Sequence, residues 1–275
     1  MKKNLLLLLC LTALVINVKA AKVDTVETYS DAMKKKIKAV VVTPNKYAAG
    51  TQYPVVYLLH GASGNYSDWV KKGGKGVAEN ADLYNVILVC PDGGNTSWYW
   101  DSPVDPTYKY ETYIINELIP YIDKSYKTIK SRTGRAITGL SMGGHGGLYL
   151  SIRHQDLFGA AGSMSGGVDI RPFPKNWDMA KRLGDPTTNA DNWEKYTVTN
   201  MLDLLKPNAL AIIFDCGTDD FFFKVNTELH DKLLERKIPH DFIIRPGAHN
   251  WPYWSNAVNY ELLYFSTFFK KNNPQ

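Results

Sequence analysis

Short apolar runs bounded by glycine, proline and polar residues recur along this chain, and stretches with helical spacing lie between them. The runs at 37–42, 55–59, 86–90, 136–138, 160–163, 209–215 and 242–245 read as strands, most of them apolar throughout, as strands buried on both faces of a parallel sheet are. Between them Ile114, Leu118, Tyr121 and Ile122 fall on one helical face, as do Trp254, Val258, Phe265 and Phe269. Alternation of this kind predicts an α/β fold, a mostly parallel twisted sheet with helices on both faces. The first run differs. Lys36 and Lys38 alternate with Ile37, Ala39 and Val41, the pattern of an edge strand with one face in water. The segment 166–208 is long, polar and rich in turn residues, with Trp177 and Trp193 embedded in it. Such length inside a compact domain signals a lid or binding loop, here inserted before the strand at 209–215. The Lys/Gly stretch 71–76 predicts a flexible surface loop.

The N-terminus changes where this domain is expected to work. Met-Lys-Lys-Asn is followed by an apolar run from Leu5 to Val18 and then by Lys19-Ala20 before Ala21, the zones of a secretory signal with cleavage after Ala20. The apolar run, broken by Asn17, is short of the ~20 residues that span a bilayer. Leu9 stands before Cys10 where a lipoprotein signal wants a small residue, so the expectation is soluble export to the periplasm or beyond, without stable membrane insertion. Removing residues 1–20 takes away Lys2, Lys3 and Lys19 and no acid, which lowers the net charge from +5 to +2 and leaves 255 of 275 residues. That charge gives no reason to expect a nucleic-acid partner, and the length suits a single α/β domain over 21–275. Cys90 and Cys216 end two runs that are not expected to be sheet neighbours, so free buried thiols are expected. The sequence carries no cysteine and histidine spacing for a metal and calls for no cofactor.

Gly139-Leu140-Ser141-Met142-Gly143 matches G-x-S-x-G, a sharp strand-to-helix turn that strains the serine into an exposed position at the carboxyl edge of a sheet. The residues before it read as a strand and those from Gly144 to His154 as a helix, so both required neighbours are present. The helix start brings the Met142 amide and a positive dipole end to the place where an oxyanion would develop. A second donor is expected from the loop His60-Gly61-Ala62-Ser63-Gly64, at the Ala62 amide, with His60 shaping that loop by hydrogen bonding. Beyond the strand 209–215, Asp219 and Asp220 are both candidates for an orienting acid, and Asp215 less so because it lies within the apolar run. His249, on the loop after the last strand, is the candidate base. Serine, acid, histidine is the chain order this fold uses. His145, His154 and His230 are expected on helical surfaces and His240 beside a strand start, all in structural roles.

Together these motifs make the chain similar to the esterase D-like branch of the α/β-hydrolases, which includes feruloyl and acetylxylan esterases, S-formylglutathione hydrolases and mycobacterial mycolyltransferases. The matching residues are Leu58-Leu59-His60-Gly61, the Gly-Leu-Ser-Met-Gly elbow with Gly144, Cys216-Gly217-Thr218-Asp219-Asp220, and Pro246-Gly247-Ala248-His249 with Trp251 and Trp254. The resemblance covers nearly all of the chain after residue 20. It implies that the acid of a G-x-x-D pattern is Asp220 and that the oxyanion donors are Ala62 and Met142. The stretch Trp98-Tyr99-Trp100-Asp101-Ser102 resembles a family segment that flanks the pocket, which would make Trp98 and Trp100 substrate contacts alongside Trp251, or else core residues.

The resemblance thus implies a serine carboxylesterase working through an acyl-enzyme, its rate falling as the imidazole protonates. Export argues against the cytosolic thiol-ester branch, and aromatic residues suit sugar faces and cinnamoyl rings. The expected substrates are feruloyl or acetyl esters of plant polysaccharides, so the expected partner is an acylated carbohydrate. Two other readings stay open: an acyltransferase with the same triad, and a catalytically silent carbohydrate-binding or adhesion protein on the same scaffold.

Overall fold

The computed structural model describes residues 20–73 and 76–273. The apolar leader and the centre of the Lys/Gly stretch lie outside the described residues. Eight strands form one sheet: β1 (Lys22–Ser30), β2 (Lys35–Thr43), β3 (Val55–Leu59), β4 (Ile87–Pro91), β5 (Arg135–Gly139), β6 (Ala160–Met164), β7 (Ala211–Gly217) and β8 (Asp241–Arg245). Their order is β1-β2-β4-β3-β5-β6-β7-β8, with β1/β2 and β2/β4 antiparallel and every later pair parallel. This is the α/β-hydrolase arrangement expected from the sequence.

Alternate side chains of each central strand feed two cores. Val55, Tyr57 and Leu59 of β3 join one with Ile114, Leu118, Leu148 and Leu150. Val56 and Leu58 join the other with Val258, Leu262, Phe265 and Phe269 of the C-terminal helix Trp251–Asn272. Each such apolar side chain contributes about 1.5–3 kcal/mol on burial, so the four from that helix alone are enough to hold it on the sheet.

One expectation about the sheet is corrected. The strand beginning near Ile37 is not the edge: β1 covers it, pairing Glu27 with Lys38 and Tyr29 with Lys36. β1 escapes a hydrophobic reading because its inward positions include Thr28 and Ser30, while Val23 and Tyr29 face solvent. Thr28 Oγ1 meets the Tyr113 hydroxyl at 2.9 Å, so a hydrogen bond stands where a strand usually offers an apolar side chain.

The insertion 166–208 is less loose than its composition suggests. Val168, Ile170, Met179, Leu183 and Trp193 are buried in the first core, the last three on the short helices Met179–Leu183 and Ala190–Lys195. Cys90 and Cys216 are free and buried, on strands separated by β3, β5 and β6. Among the described residues no helix is long and apolar enough to cross a membrane.

Candidate active site

The turn after β5 is strained and held from several sides. Ser141 sits at φ 56° and ψ −117°, a region costing a non-glycine residue about 1–3 kcal/mol. The surrounding backbone holds it there. The Ser141 amide donates to the Met164 carbonyl at 2.9 Å, Leu140 N–H to Leu59 O at 3.2 Å, and His145 N–H to Ser141 O at 3.0 Å as the helix Met142–Arg153 begins. Gly139 has to be glycine: a Cβ there would lie 2.5 Å from the Leu59 carbonyl oxygen.

Three strand ends converge on this turn. Ser141 Oγ lies 2.8 Å from His249 Nε2, and His249 Nδ1 lies 2.8 Å from Asp220 Oδ2. The other carboxylate oxygen of Asp220 accepts from the Phe222 amide at 2.8 Å, which fixes the acid. A carboxylate only accepts, so Nδ1 carries the imidazole proton and Nε2 is left to receive that of the serine. Asp219 points away and is exposed, its amide donating to Gly247 O at 2.9 Å. Asp215 is fully buried beneath, 3.3 Å from Arg245. Geometry therefore brings Asp220, of the three acids, to the histidine.

The Ala62 loop lines the same cleft. Among the described residues, neither the Ala62 amide nor the Met142 amide is engaged by a hydrogen bond, so both remain able to meet an oxyanion. His60 is buried; its Nδ1 bonds Gly61 O at 2.7 Å and its Nε2 accepts from Gly93 N–H at 2.8 Å, which ties the loop to the end of β4. The cleft holds about 210 Å³ and is bounded by Ala62, Ser63, Lys72, Trp177, Trp251 and Trp254 around Ser141 and His249. A larger groove of about 930 Å³ lies at the opposite end of β7 and β8, and no serine or cysteine lines it. Among the described residues no cluster of three or more histidine, cysteine or acidic side chains could hold a metal.

The family described as "Putative esterase" matches residues 30–265. The chain belongs to this esterase family. A solved ferulic acid esterase superposes with a TM-score of 0.76 at 31% identity, over 91% of this chain and 99% of that one. An acetyl esterase of Caldicellulosiruptor saccharolyticus is 27% identical over 84% of this chain and 92% of its own length. A diacylglycerol acyltransferase/mycolyltransferase of Mycobacterium leprae is 33% identical over 86% and 81%. An esterase of Mycobacterium tuberculosis is 28% identical over 76% of this chain, a match that spans 51% of that protein.

In this family member Trp251 lines the cleft, but Trp98 and Trp100 do not, a correction to their reading as substrate contacts. Both are buried in the core and stack on each other at 5.5 Å. They enclose His145, which is not on the helix surface as expected but fully buried, accepting from Trp100 Nε1 at 2.9 Å and bonding Gly167 O at 2.9 Å. Sequence reasoning assigned Lys72 to a loop and Phe221 to nothing. Yet Phe221 lies 4.3 Å from the His249 ring and stacks on Trp177 at 5.8 Å. The position of Phe221 next to Asp220 was the available signal.

Burial lowers the His145 pKa from 6.5 to about 4. The unfolded chain therefore binds one more proton than the folded chain between those values, and stability should fall as pH drops through that window. Urea midpoints at pH 7 and pH 4.5 check this: wild type should lose more stability on acidification than His145→Phe. Equal losses would remove His145 as a source.

Proposed function

We propose that this protein is an exported serine carboxylesterase that hydrolyses feruloyl or acetyl esters of plant polysaccharides or their oligosaccharides, with residues 1–20 as its secretory signal. The observation that carries the reading is the unbroken chain Asp220–His249–Ser141 beside two unengaged amides. In the first half-reaction His249 Nε2 takes the Ser141 proton as Oγ attacks the ester carbonyl, and the Ala62 and Met142 amides donate to the oxyanion. The imidazolium then protonates the departing alkoxide. In the second half-reaction His249 deprotonates a water that attacks the acyl-enzyme, and the serine recovers its proton. Asp220 holds the imidazole in the required tautomer and stabilises its charged form. No metal or cofactor is required by these steps.

Support for the substrate comes from the similarity to a ferulic acid esterase and an acetyl esterase, and from the aromatic wall of the cleft. Trp177 and Phe221 present a stacked pair beside His249, a surface suited to a flat acyl or sugar ring. The similarity to a mycolyltransferase favours a second reading in which a sugar hydroxyl replaces water as acceptor.

The test is turnover of p-nitrophenyl acetate, p-nitrophenyl butyrate and methyl ferulate by residues 21–275, with and without an added sugar alcohol. Hydrolysis of at least one ester supports the proposal, and product carried mainly on the added alcohol would select the transferase. Loss of the Trp177 stack should raise KM for methyl ferulate by about 3–10-fold in Trp177→Ala, from roughly 0.5–1.5 kcal/mol of stacking. KM for p-nitrophenyl acetate should change less. Equal shifts for both esters would remove Trp177 from acyl selection.

A further inference from the structure

Below the serine turn, β5 and β6 part company. They pair at Ala136↔Ala160 and Ile137↔Ala161 and meet again at the isolated bridge Leu140↔Met164. A carboxylate fills the gap between. Glu261, on the C-terminal helix, is fully buried; its Oε1 accepts from the Ser163 amide of β6 at 3.0 Å and its Oε2 accepts from the Thr138 hydroxyl of β5. Gly162 leaves room for it, since a Cβ there would come 2.9 Å from the Glu261 carboxyl carbon.

Two features make this more than helix packing. An apolar residue would serve on a helix face that otherwise buries Val258, Leu262, Phe265 and Phe269, whereas an acid in that setting carries a desolvation cost. Moreover, the helix that carries Glu261 starts at Trp251, two residues after His249, with Asn250 capping it through the Tyr253 amide at 3.1 Å. One side chain therefore grips both strands that suspend Ser141, whose amide hangs from Met164, and does so from the helix that leads out of the His249 loop.

We propose that Glu261 is a positioning residue for the hydrolysis, a buried clamp that sets the nucleophile strand and the base-bearing loop at the spacing the Ser141–His249 hydrogen bond needs. It does not touch substrate. The inference rests on the reading of Ser141 as nucleophile. Burial holds the Glu261 carboxyl well above the ordinary range, and Gln keeps its shape and an acceptor oxygen.

The experiment measures kcat per active site, with sites counted by fluorophosphonate titration so that unfolded protein is not scored. Thr138→Val keeps the shape of β5 and removes the hydroxyl; kcat per site should fall about fivefold with KM within about twofold, the effect of a small misplacement of reacting groups. Glu261→Leu should fall by more than about tenfold, and Glu261→Gln should recover to within about threefold of wild type. A residue that only stabilises the fold would lower the melting temperature and leave kcat per titrated site unchanged. An unchanged value in Thr138→Val overturns the inference whatever Glu261→Leu does. If Ser141→Ala also kept its turnover, the nucleophile assignment would be what failed; if Ser141→Ala were inactive, the clamp alone would be.

Discussion

Ser141→Ala is expected to lower kcat for p-nitrophenyl acetate by about four to six orders of magnitude and to abolish labelling by a fluorophosphonate probe. The size follows from removing the group that bonds to the acyl carbon: a triad stripped of its nucleophile retains only what the oxyanion donors and binding provide. The mutant should fold, because the strained turn is held by backbone bonds from Leu140, Ser141 and His145 that do not involve the hydroxyl. Turnover within tenfold of wild type in a folded, unlabelled mutant would rule out Ser141 as nucleophile.

The second large effect separates two adjacent acids. Asp220→Asn should reduce kcat by on the order of 10⁴, because an amide nitrogen facing Nδ1 would donate to it and drive the proton to Nε2, the atom that must accept from serine. Asp219→Asn should stay within about twofold, as an exposed side chain away from the site does. The contrast tests the geometry sharply, because the two residues are neighbours in sequence with opposite orientations, one buried against His249 and one in solvent. Comparable losses in both would mean that the acid's loop is arranged differently in solution. Measured kcat and KM for the two variants decide it.

Much of the fold was legible because its determinants are local. Five-residue apolar runs such as 55–59 and 86–90, bounded by turn residues, fit strands covered on both faces, and the glycines around Ser141 mark a backbone too close to Leu59 for any side chain. β1 was missed for an equally local reason: its buried positions are threonine and serine, so no apolar period marks it. The pair Trp98 and Trp100 shows the limit of composition. Two tryptophans beside a pocket-flanking motif read as substrate contacts or as core, and their burial around His145 decided for the core.

The alternation of strands and helices, the strained serine turn, the order of serine, acid and histidine, and a short list of acids could all be read from local pattern. Each of these depends on side-chain period or turn chemistry within a few residues. It took the folded chain to show that Asp220 faces His249 while Asp219 does not, that Trp177 lines the cleft with Phe221 stacked on it, and that Glu261 reaches between β5 and β6. Those facts depend on which strand ends are neighbours and how each is rotated about its axis. Ser141 and His249 are 108 residues apart, and Thr138 and Glu261 are 123 apart, so what sets their spacing is the order of the whole sheet rather than any local pattern.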